Sequence, residues 1–74
     1  MAVATATSGT VDVSAANVVG ATGNVTLSGG QAGQVVYVVN TTSGNIYVNG
    51  STTPIASGKS SAFVNVGGNW YPLF

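Results

Sequence analysis

The chain contains no cysteine and no histidine, and its 74 residues carry one lysine, Lys59, and one acidic side chain, Asp12. Soluble domains ordinarily hold about 25% charged residues, whereas here the charged fraction is 3% and the formal net charge is zero. General acid–base catalysis, covalent catalysis and metal ligation draw on the very side chains that are missing. The composition therefore argues against an enzyme and offers no ligand set for a metal or cofactor. One lysine cannot neutralise a run of phosphates, which argues against nucleic acid as a partner. No segment has the basic start and apolar core of a secretory signal, and none approaches the roughly 20 apolar residues of a membrane helix. A soluble product of the cytoplasm with no membrane partner is expected.

A chain this short buries only about 60% of the surface its unfolded form exposes. Without disulfides or metals to brace it, tight packing or oligomerisation must supply the remaining stability, and oligomerisation is the expected route. Strong helix formers are nearly absent, and no stretch keeps apolar residues at helical spacing. What is present is β-protein composition: 13 valines, with threonine, serine, asparagine and 11 glycines making up most of the remainder. β-Branched residues suit a pleated sheet, and Gly, Asn and Ser suit its turns.

Apolar alternation recurs at Thr10–Ser14, Asn24–Leu27, Gln34–Asn40, Asn45–Asn49, Ser61–Val66 and Asn69–Phe74, each bounded by Gly, Asn, Ser or Pro. Short strands with turn signals at about ten-residue spacing predict one all-β domain, a small antiparallel sandwich, roll or barrel over residues 10–74. Residues 1–9 read as an N-terminal extended arm or an edge strand. Val66-Gly67-Gly68-Asn69 predicts a two-residue hairpin turn, whose central positions need positive φ. Gly29-Gly30-Gln31-Ala32-Gly33 has the wrong spacing for a dinucleotide fingerprint and reads as a loop.

Gln34–Asn40 is apolar on both faces: Val35, Tyr37 and Val39 point one way, Val36 and Val38 the other. Either a partner subunit covers the second face, or the strand is central to a small closed barrel. In Asn45–Asn49, Ile46 and Val48 point inward and Tyr47 outward. Trp70 and Tyr71 could stack on a sugar, although core packing is the preferred reading. Three Asn-x-Ser/Thr triplets, at Asn24, Asn40 and Asn49, read as by-products of composition. Lys59 lies in a turn and reads as solvated.

The second half carries a cadence: Gly33-Gln-Val-Val-Tyr-Val-Val-Asn40, then Gly44-Asn-Ile-Tyr-Val-Asn-Gly50, then Ile55-Ala-Ser-Gly-Lys-Ser-Ser-Ala-Phe-Val-Asn-Val-Gly-Gly-Asn-Trp-Tyr71. It resembles small β-rich modules of tailed-phage virion proteins, found in tail fibres, tailspikes and capsid decoration proteins. The resemblance covers Gly33 to Tyr71 and rests on turn and core residues, and the near absence of Asp and Lys departs from the pattern. It implies a homotrimer. Read as a complete open reading frame, the chain has room for one module and a short arm, which favours a capsid decoration (cement) protein binding the major capsid protein on the virion surface. The expected subunit interface comprises Val35, Tyr37, Val39, Tyr47, Phe63, Trp70 and Phe74. The expected capsid-binding arm comprises Ala2, Val3, Ala4, Thr5, Ala6, Thr7 and Ser8, which could add a strand to a capsid sheet. A tail-fibre or carbohydrate-binding module is the alternative, and a self-assembling β filament built on segments such as Gln34–Asn40 is the second.

Overall fold

Five valine- and threonine-rich segments pair into one sheet in chain order: β1 (Val3–Asp12), β2 (Val18–Ser28), β3 (Val35–Asn40), β4 (Ser60–Val66) and β5 (Asn69–Pro72). The computed structural model describes residues 3–14, 17–51 and 53–73, with side chains from Ser8 onward. The all-β expectation holds, but the sheet is mixed rather than antiparallel. β1, β2 and β3 run parallel, and only β3–β4 and β4–β5 are antiparallel. It does not close into a barrel, and β1 and β5 are its edges.

The parallel half imposes a geometric condition. Five residues separate Asp12 from Val18, yet Val18 pairs with Val3 at the far end of β1. A straight ten-residue strand would span about 30 Å, whereas the linker reaches only about 20 Å at full extension. Parallel neighbours ordinarily need crossovers of a dozen or more residues. The β1–β2 pair therefore bends. Register shifts fall between Ala4 and Thr7 and between Thr7 and Gly9, dividing the ladder into three parts. Gly23 occupies the inward position at the bend, where an added Cβ would touch Ser8 Cβ at 3.4 Å.

Bending wraps the sheet around its own core. Along β2, Val19, Ala21, Val25 and Leu27 share the inward parity and are all buried. They meet Val11 and Val13 from the first strand and its exit, Val36 and Val38 from β3, and Phe63 from β4. Strand β3 is central and paired on both sides, so the segment read as cross-β material has no free edge in the folded chain.

Residues 41–59 form the one long excursion. The expected strand at Asn45–Asn49 is reduced to single bridges, Val25 with Val48 and Ile46 with Ile55. Ile46, Val48 and Ile55 nonetheless enter the core. Asn40, buried at the end of β3, anchors the excursion. Its Nδ2 donates to the carbonyls of Gly44 and Ile55, both at 2.7 Å, and its Oδ1 accepts from the Thr42 N–H and hydroxyl at 2.8 and 2.7 Å. This saturates the amide.

The Val66–Asn69 turn matches the sequence expectation: Gly67 and Gly68 have φ of 62° and 90°. Gly30, at φ 86°, is needed for a second reason. A Cβ there would lie 2.6 Å from Gln34 Oε1 and 2.8 Å from Trp70 Cζ2. Gly30→Ala is expected to destabilise the fold by roughly 1–3 kcal/mol in urea unfolding. Gly44→Ala, where an added Cβ meets nothing within 4 Å, is expected to stay within about 0.5 kcal/mol of the parent. Equal effects at the two sites would contradict this packing.

Candidate functional site

Directly opposed residues in a sheet share a face, and the register therefore maps the outer surface. One row crosses the sheet as Val18–Tyr37–Ala62, and Leu73 extends it by donating its N–H to the Ala62 carbonyl at 2.8 Å. A second row runs Val35–Val64–Tyr71. Tyr37, Val66, Tyr71 and Leu73 are 46%, 56%, 50% and 51% exposed, while Val18, Val35, Val39 and Val64 are half-buried. The result is a broad apolar face with two tyrosines and no charged side chain.

The expected interface residues divide. Val35, Tyr37 and Val39 lie on this face. Phe63 does not: it pairs with Val36 on the inward side and is buried in the core of a single chain. Trp70 alternates with Tyr71 along β5, so it turns the other way and packs against the core, and the two aromatics cannot form one stacking site. Tyr47 is exposed as expected but lies apart, its N–H bonded to Asn24 Oδ1 in the distal part of β2 at 2.9 Å. Phe74 and Ala2 fall outside the described residues, as do the side chains of Val3, Ala4, Thr5, Ala6 and Thr7. The backbone of residues 3–7 and the exposed Ser8 belong to β1, paired with β2 along one side. The face also includes Val64, Tyr71 and Leu73, which the sequence reading left out. The Gly67-Gly68 hairpin makes the first two recoverable, because a two-residue turn between Val66 and Asn69 sets Tyr71 opposite Val64.

Neither charge lies among these side chains, although Lys59 borders a hollow that shares Leu73 with them. That hollow is half-open, about 510 Å³ in volume, and walled by Val48, Pro54, Ile55, Phe63 and Leu73. Asp12, at the exposed end of β1, accepts hydrogen bonds from the Ser14 hydroxyl and from the Ser14 N–H. These bonds hold its carboxyl below the ordinary value of 3.8. Among the described residues no three His, Cys, Asp or Glu side chains gather into a metal site, and no helix is long and apolar enough to cross a membrane. Comparison with protein-family models, curated protein sequences and solved structures finds no significant match to this chain.

A folded-state carboxyl titrating below its unfolded value adds stability that is present above the unfolded value and lost as pH falls through the folded one. With no histidine, no side chain ordinarily changes charge between about pH 5 and 8. The melting temperature is expected to stay flat across that window and to fall only in acid. Asp12→Asn should make the acid limb shallower, as followed by circular dichroism. A transition near neutral pH would contradict this electrostatic picture.

Proposed function

We propose that the protein is a structural protein that works by self-association, its copies meeting through the outer face that carries Tyr37, Val64, Tyr71 and Leu73. The observation that carries this reading is the coincidence of an exposed apolar sheet face with an almost uncharged chain. Single exposed apolar residues are ordinary, but a contiguous face of this kind marks an interaction surface. A net charge of zero supplies no repulsion to keep copies apart.

Magnitudes favour a shared face over one anchor. Fully burying a large apolar side chain contributes about 1.5–3 kcal/mol, and these side chains are already half covered. Association costs an estimated 4–15 kcal/mol in lost freedom, so several of them must be covered together. An outer face extending over β3, β4 and β5 meets that requirement.

Within this reading the assembly is a homotrimer that decorates a phage capsid and braces its major capsid protein. That context is supported by the resemblance of the Gly33–Tyr71 cadence and by the nearly uncharged composition, and affinity would then come from apolar contacts repeated across a lattice. Since β1 is already paired along one side, any strand addition to a capsid sheet would use its free edge.

Replacing Tyr37 and Tyr71 together by aspartate is expected to yield a monomer by native mass spectrometry with an unchanged β-type circular dichroism spectrum. A folded variant that keeps the parent's oligomeric mass would remove this face from the interface.

A further inference from the structure

Strand β5 stops short of the start of its neighbour. Its pairing with β4 runs from Val66–Asn69 to Phe63–Pro72, and the Leu73 N–H adds one bond to the Ala62 carbonyl. Ser60 and Ser61, at the start of β4, run past it. In an antiparallel ladder successive residues turn their N–H and C=O groups to opposite sides. The Lys59 carbonyl accepts the Asn40 N–H and so faces β3, whereas the Ala62 carbonyl faces β5. Ser60 shares the side of Ala62, and beyond the end of β5 its exposed N–H and C=O meet no partner among the described residues. The half-open hollow of about 510 Å³ opens at this gap. Its floor is apolar, formed by the buried Val48, Ile55 and Phe63, and the exposed Lys59 stands on its rim beside Ser60.

We propose that this hollow binds a medium-chain fatty acid, its alkyl tail on Val48, Ile55 and Phe63 and its carboxylate held by the Lys59 ammonium and the Ser60 N–H. The volume lies within the roughly 300–1,000 Å³ of small-molecule sites. Lys59 is the chain's only cationic side chain. It forms no ion pair with a carboxylate among the described residues, Asp12 being bonded to Ser14. The remaining polar lining, Ser51, Thr53 and Ser61, is uncharged. A cation and an unpaired N–H together at the rim favour an anionic head group over a neutral or cationic one. An apolar floor favours a tail without polar atoms. A peptide would bring several backbone amides to a sheet edge that offers only Ser60 for pairing, and the other amides would lose water without compensation. The hollow shares Leu73 with the association face, but its floor is the inward layer of the sheet. The proposal therefore does not rest on self-association and is tested by a separate measurement.

The test is a ¹H–¹⁵N NMR titration of the intact protein with hexanoate, heptanoate and octanoate, and with octanol and octylammonium as head-group controls. Octanoate is expected to shift the Lys59, Ser60 and Phe63 amide signals saturably, with a millimolar midpoint. Affinity should rise about fourfold with each added methylene, the worth of one more buried CH₂. Octanol and octylammonium are expected to bind roughly tenfold more weakly, for want of the charge-assisted bonds. Lys59→Met keeps the alkyl stem and removes the charge. Ser60→Pro removes the N–H at the first position of a strand, on its unpaired side, where proline is tolerated. Each is expected to weaken octanoate binding roughly tenfold with an unchanged circular dichroism spectrum, and Lys59→Met carries the test alone if Ser60→Pro fails to fold. No saturable shift, an affinity indifferent to tail length, equal binding of octanol or octylammonium, or undiminished binding in Lys59→Met overturns the proposal.

Discussion

The bend in the β1–β2 pair is the constraint on which the rest of the structure depends. Five residues cannot carry the chain from the end of one straight strand back to the start of its parallel neighbour, and six residues face the same task between β2 and β3. Once the pair bends, both short links become possible, and the concave side collects Val11, Val13, Val19, Val25 and Leu27 around the inward side chains of β3. The core is thus made largely by one sheet folding over itself, closed by an excursion that Asn40 fastens through four side-chain hydrogen bonds. Removing this amide would break all four bonds at once, at about 1–3 kcal/mol for each buried group left unsatisfied. The excursion's long connection is tolerable because that amide is fully used.

Among the described residues, the same arrangement leaves one face without a second layer. The outer positions of β3, β4 and β5 are mostly valine and tyrosine, with Ala62, Ser60 and Asn69 among them and Leu73 just beyond, and none is charged. In most soluble domains lysine and glutamate would occupy such positions. Here the chain's only two side-chain charges sit at the end of β1 and beside a hollow that adjoins this face at Leu73. Low charge and exposed apolar face are one property seen in composition and in space, and together they support assembly as the protein's mode of action.

Much of the fold was legible in the residues. Alternation located β3, β4 and β5 to within one or two positions, paired glycines placed the last turn, and the split of Gln34–Asn40 into Val36/Val38 and Val35/Tyr37/Val39 faces matches what is buried and what is not. Strand direction was not legible. Alternation has no sign, and linkers this short imply hairpins unless the strands bend, a property carried by register shifts that composition does not encode. Phe63 was placed at an interface because large aromatics suit both interfaces and cores, and only its pairing with Val36 decides between them.

The central claim is that an uncharged sheet face holds copies of this chain together. Sedimentation equilibrium of the unmodified protein, run at low and high sodium chloride, tests it most directly. The account predicts a mass that is a multiple of the 7.2 kDa chain, with an association constant that changes little with salt because no charge pair carries it. A monomer at all concentrations, or an oligomer that dissociates as salt is raised, would contradict it.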